Sequence, residues 1–81
     1  MNYRINFHVS ASAEIPGLPA EAWEALIEEL LVIGSDPHHR GVPDPDDPNF
    51  QEDAFDPAGL VSYVIDDASK VVHVYSIIWA G

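Results

Sequence analysis

LVSYVIDDASKVVHVYSIIWAG, residues 60–81, decides the architecture. Leu60 to Ile65 and Val71 to Trp79 are rich in Val, Ile, Tyr and Trp, which suit a pleated, half-buried surface. Asp66-Asp67-Ala68-Ser69 separates them. Two such runs around a short polar break read as a β-hairpin with a loop of about four residues. That loop pairs Ile65 with Lys70. Val61, Tyr63 and Ile65 then share a face with Val72, Val74 and Ile78. The opposite face carries Ser62, His73, Tyr75, Ile77 and Trp79.

Upstream of the hairpin, Asp56-Pro57-Ala58-Gly59 is a turn signal. Phe50 to Phe55 reads as a short strand at a sheet edge, where Glu52 and Asp53 would block pairing with another chain. The single domain, 1–81, carries a Pro/Asp-rich loop at 36–49. Pro37, Pro43, Pro45 and Pro48 stand there among Asp44, Asp46 and Asp47. Each proline removes a donor and restricts its neighbour, so this segment is expected to hold neither helix nor strand.

Pro19 to Ile33 reads as the main helix, with Pro19 at its first position and Glu21 and Glu24 near the positive end of its dipole. Trp23, Leu26, Ile27, Leu30 and Leu31 form an apolar stripe at helical spacing, and Glu21, Glu24 and Glu28 mark the wet side. Gly34 is the expected C-cap, before Ser35-Asp36-Pro37 ends the helix. At the start of the chain, Asn2 to Val9 alternates. Tyr3, Ile5, Phe7 and Val9 fall on one side and Arg4, Asn6 and His8 on the other, which is the period of a strand. Ser10 to Gly17 leaves room for a short helical turn. The expected fold is α+β: an antiparallel sheet of about four strands with one main helix packed on one face.

Composition narrows the function. The 81 residues hold 14 Asp and Glu against 3 Lys and Arg, a formal net charge of −11. Such a chain repels phosphate backbones and anionic lipid, so direct nucleic-acid or membrane binding is not expected. An acidic surface serves solubility, or it fits a basic partner or mimics nucleic acid. No cysteine is present, so neither disulfides nor thiolate zinc sites arise. The alternating N-terminus is not a signal peptide, and no apolar run reaches membrane-spanning length. A cytoplasmic location follows as the expectation.

The order of elements, with YRINF at residues 3–7, LPAEAWEALIEELLVIGSDP at 18–37 and the closing LVSYVIDDASKVVHVYSIIWAG, resembles the RelE/ParE superfamily of bacterial toxin–antitoxin systems. Tyr63 to Asp67, Y-V-I-D-D, is the most specific piece. The resemblance implies a RelE/ParE-like fold, an antitoxin partner and, in RNA-cleaving members, a basic sheet face that holds the message. This sequence departs from that pattern in two places. Ser10 to Leu18 allows only a stub of the helical hairpin that usually follows the first strand. Tyr75-Ser76-Ile77-Ile78-Trp79-Ala80-Gly81 puts apolar residues where the family carries a basic tail. Metal-free RNA cleavage needs charge stabilisation at the phosphate and a proton donor, and Arg4, Arg40 and Lys70 are the whole supply of Arg and Lys.

His73 and Tyr75 are the candidate catalytic pair, as proton donor or acceptor with a neighbouring phenol. Arg4, His8, Ile77 and Trp79 are candidate partner-binding residues on the same sheet face. The plainer reading of this face is a mixed polar and aromatic surface against a partner or water. His38, His39 and Asp36 adjoin but point apart in an extended loop, so no metal site is expected. Asp44, Asp46 and Asp47 fail the calcium-loop pattern, because Asn49 and Phe55 occupy its required glycine and glutamate positions. No cofactor motif is present.

Three functions compete. The first is a RelE/ParE-like protein that acts through protein contacts and lacks ribonuclease activity, with an antitoxin-like partner that is basic or mainly apolar. The second is an active mRNA endoribonuclease using His73 and Tyr75. The third is an acidic adaptor or nucleic-acid mimic that binds a basic protein. A second copy of the chain is a further candidate cover for the apolar sheet face.

Overall fold

The computed structural model describes residues 2–81. Five strands, β1 (Arg4–Phe7), β2 (Val42–Pro43), β3 (Phe50–Phe55), β4 (Gly59–Asp66) and β5 (Val71–Trp79), form one sheet in the order β1-β5-β4-β3-β2. A single-turn helix α1 (Val9–Ser12) follows β1, and the long helix α2 (Ala20–Ser35) crosses one face of the sheet. Short 3-10 turns occupy Ile15–Gly17 and Pro37–His39. The α+β architecture is the expected one, and the sheet differs from the expectation in two respects.

First, it is mixed. β1 runs parallel to β5, with Arg4 opposite Val71 and Phe7 opposite Val74. The Arg4 and His8 amides donate to Lys70 O and Val74 O at 2.9 and 2.8 Å, extending that ladder at both ends. Local periodicity marks a strand but does not say which distant strand it joins. Second, the proline-rich segment does contribute a strand. Val42 and Pro43 pair with Glu52 and Gln51, so β3 is flanked on both sides and β2 is the edge at that end of the sheet. Two residues with a proline make a short, blunt edge of the kind that resists pairing with other chains.

The hairpin places Ile65 opposite Val72, and not Lys70 as expected, and Asp66 opposite Val71, so the loop moves one residue on to Asp67 to Lys70 and Lys70 takes a left-handed conformation (φ 58°). Val61, Tyr63, Ile65, Val72 and Val74 are buried on the helix side, as expected. Beyond Val74 the register changes. Tyr63 faces Val74 but Ser62 faces Ser76, which leaves Tyr75 as the extra residue of a β-bulge. One unpaired residue inverts the alternation after it. Ile77 therefore enters the core, 3% exposed, while Ile78 faces outward at 56%. The expected faces of these two isoleucines are exchanged. Trp79 likewise turns to the helix side, where it packs half-buried against the core and donates from Nε1 to Asp56 Oδ2 at 3.3 Å.

Helix α2 starts one residue later than expected, with Pro19 as its N-cap. It buries Ala22, Leu26, Leu30, Ile33 and Gly34. Trp23 and Ile27 lie at the core margin, and Leu31, expected in the stripe, is 70% exposed. Ile33, three residues beyond Leu30, takes the inward position instead. Gly34 is not a C-cap. A Cβ there would lie 3.2 Å from Tyr3 O, and the Tyr3 amide donates to Gly34 O at 2.7 Å, so glycine permits the close approach of β1 to the helix end. Val9, expected on the inner side of β1, is in α1 and exposed because the strand ends at Phe7.

Candidate functional site

The sheet face opposite α2 is open. β1 places Arg4 and Asn6 there, and β5 places His73 and Tyr75 beside them, because the parallel pairing aligns Asn6 with His73. The Asn6 amide donates to His73 Nδ1 at 3.1 Å, which leaves the Nε2 side of the ring free to carry the proton. Arg4, Ile5, Asn6, Val71 and His73 line a shallow cleft of about 330 Å³. His8 lies at the end of β1, where its Nδ1 caps α1 by accepting from the Ser10 amide at 3.2 Å. Its ring stacks on Tyr75, with centroids 4.8 Å apart. Ser10 Oγ donates to Tyr75 O at 2.8 Å and ties α1 to the bulge.

Four of the six candidate residues, Arg4, His8, His73 and Tyr75, thus belong to the open side. Ile77 and Trp79 do not, because the bulge rotates them inward. Their apolar place outside is taken by Ile78, aligned with Leu60, and by Val64 and Phe50, aligned with His73.

This face is poor in cations. Lys70 is held away at the hairpin loop, its Nζ 5.0 Å above the Tyr3 ring. Tyr3 OH and His38 Nε2 both meet Asp67 Oδ1 at 2.7 Å, and the Tyr3 hydrogen bond leads in holding the Asp67 carboxyl below its ordinary range. Arg40 is on the other side of the molecule. Among the described residues only Arg4 brings a fixed positive charge to the open face, and Glu52 and Asp66 stand on that face too.

A denser polar cluster sits under α2, where the sequence reading placed no site. Arg40 grips Glu29 with two hydrogen bonds, Nε to Oε2 at 2.6 Å and Nη2 to Oε1 at 3.0 Å. Asp53 Oδ2 lies 3.6 Å from Arg40 Nε and is buried without a hydrogen-bond partner among the described residues. Burial, and next the neighbouring Glu29, push the Asp53 carboxyl up to about 7, while Arg40 holds Glu29 below its ordinary range. Tyr63 OH donates to Arg40 O at 3.0 Å. The Gln51 amide, turned with its nitrogen inward, donates to Pro37 O at 2.9 Å and to Tyr63 OH at 3.2 Å. Gly41 closes the arrangement at φ +76°, and a Cβ there would stand 2.6 Å from Glu52 O and 2.7 Å from Tyr63 OH. These contacts fasten the segment after α2 to β3 and β4. Glu29 falls three residues after Leu26 and four before Ile33, so helical spacing was the available signal that it faces inward.

No protein-family model matches the chain, and no curated protein matches it in sequence. Solved structures match it over nearly its whole length. The toxin–antitoxin complex RelBE2 from Mycobacterium tuberculosis aligns with a TM-score of 0.85 at 18% identity, covering 99% of this chain and 100% of that one. The isolated E. coli RelE toxin aligns at 0.86 with 21% identity, covering 98% and 85%. An E. coli RelE variant with two arginines replaced by alanine, in complex with an antitoxin RelB peptide, aligns at 0.83 with 21% identity, covering 100% and 86%. The chain has the fold of the RelE toxins.

Proposed function

We propose that the chain is a RelE-like member of a toxin–antitoxin pair that works through protein contacts and does not cleave RNA. The observation that carries this reading is the combination of a full-length RelE fold with an open face holding one fixed cation. Phosphoryl chemistry leans on preorganised positive charge where negative charge develops, and Arg4 alone supplies little of it. The fold's other use is partner binding. The E. coli variant lacking two arginines is found with an antitoxin peptide, so on this fold a partner can be held after positive charge is lost. The partner covers the open face, where Phe50, Leu60, Val64, Tyr75 and Ile78 offer apolar contact, and the setting is a bacterial cytosol.

A second reading keeps the ribonuclease, with His73 as proton donor and Arg4 as the phosphate ligand, since both line one cleft. The test is primer extension on mRNA in a translating extract, with the purified protein and its His73→Ala and Tyr75→Phe variants. Intact message with all three proteins, together with co-elution of the adjoining gene's product on size exclusion, supports the first reading. Cleavage that disappears in His73→Ala establishes the second.

A further inference from the structure

The outward side of α2 carries a feature that the sheet face does not explain. Trp23, Ile27 and Leu31 stand at intervals of four on one side of the helix and span ~12 Å at 1.5 Å per residue. The helix buries Leu26, Leu30 and Ile33 against the sheet and leaves Val32 exposed on another side. Trp23 and Ile27 stay half-buried at the core margin and Leu31 is largely exposed. Trp23, Glu24, Ile27 and Glu28 line an open cleft of about 350 Å³. Glu21 stands one turn earlier, and α2 contains no Lys or Arg at all.

We propose that this stripe is a docking site for an amphipathic helix of positive charge, its apolar residues seated on Trp23, Ile27 and Leu31 and its Lys or Arg side chains placed over Glu21, Glu24 and Glu28. Helix-in-groove recognition uses anchors at intervals of three or four, which is the spacing on offer. A Trp at a binding surface supplies large contact area and commonly dominates the binding energy. The acidic rim decides among occupants. A second copy would set one glutamate rim against another within a dimer of doubled net charge, and an anionic membrane is repelled for the same reason. The chain's own Asp-rich segment is acidic as well. A cationic helix gains from every rim charge, mainly in the rate of encounter and in rejection of wrong partners. This surface lies across the molecule from the sheet face, so the inference stands whether or not the toxin–antitoxin reading holds.

The experiment is calorimetric titration of the intact protein with a synthetic helical peptide of leucine and lysine, its leucines at heptad spacing. Three arms accompany it: the same composition scrambled, lysines replaced by glutamates, and the original peptide at raised salt. Proteins are the wild type, Leu31→Ser, Glu24→Gln with Glu28→Gln, and Ile78→Ser on the sheet face, each checked for native circular dichroism. Leu31 and both glutamates are exposed, so these variants test the surface and not the fold. The expected result is binding of the lysine helix alone. It weakens about tenfold in Leu31→Ser, weakens and loses its salt dependence in the double glutamine variant, and is unchanged in Ile78→Ser. Equal binding of the scrambled peptide, or no effect of Leu31→Ser, reduces the surface to unspecific acidic adsorption and overturns the proposal. So does loss of binding in Ile78→Ser, which moves the site to the sheet, or no binding at all.

Discussion

The polar cluster under α2 and the open face of the sheet hold similar kinds of side chains and use them differently. Under the helix, Arg40, Glu29, Asp53, Tyr63 and Gln51 form a closed set in which nearly every polar atom has a partner and one carboxylate oxygen is orphaned. On the sheet, Asn6 meets His73 and His8 meets Tyr75, while Arg4 stands beside them and faces solvent. Of the two arginines, one is committed to holding the chain together and one remains outside. A dense array of titratable groups is therefore not where function is best sought here. The array is a fastener, and its perturbed carboxyl reports burial and crowding.

Four measurements test that contrast. Gly41→Ala should be the most damaging, at about 2–4 kcal/mol in urea unfolding, because it combines left-handed strain with contact against Glu52 O and Tyr63 OH. Tyr63→Phe removes the hydroxyl that satisfies Arg40 O and the Gln51 amide, and should cost about 1–2 kcal/mol. Asp53→Asn should act on the pH profile. The folded chain holds the Asp53 proton more tightly than the unfolded chain does. The resulting stabilisation is fully present below about pH 4 and is lost as pH rises through about 7. Thermal midpoints of the wild type should carry this fall across that window, and those of Asp53→Asn should lack it. A retained fall would mean that another group titrates. On the sheet face, Arg4→Ala and His73→Ala should leave the urea midpoint within error, since substitutions at such surfaces are usually close to neutral. A large loss there would show that the open face is as structural as the cluster.

The sequence made the strongest local signals legible. Val61, Tyr63, Ile65, Val72 and Val74 could be assigned to the core because the observed pairing of Ile65 with Val72 lies two residues from the expected pairing with Lys70, and an even shift keeps every side chain on its face. The same reasoning failed beyond Val74, because a bulge has no composition of its own and Tyr75 is a good strand residue paired or unpaired. Leu31 and Ile33 were exchanged because a stripe read from 3.6-residue spacing does not say how wide the sheet beneath it is. β2 was hidden by its prolines, although Pro43 is tolerated at an edge where its missing donor faces no neighbour. Of the candidate site, the grouping of Arg4, His8, His73 and Tyr75 was visible, while the meeting of Glu29 with Arg40 and Asp53 was not. It joins three segments that only the finished fold brings together.

The order β1-β5-β4-β3-β2 has a consequence for how the chain is made. β1 is synthesised first, yet its only partner in the sheet is β5, and Asn6 meets His73 across 67 positions of sequence. Topologies dominated by such distant contacts fold slowly, because loop closure is paid before the contact rewards it. A nascent chain can form α2 and the β3–β4 pair early, but β1 has nothing to lie against until Val71 to Val74 have left the ribosome. Until then its apolar strand residues are exposed to whatever is nearby.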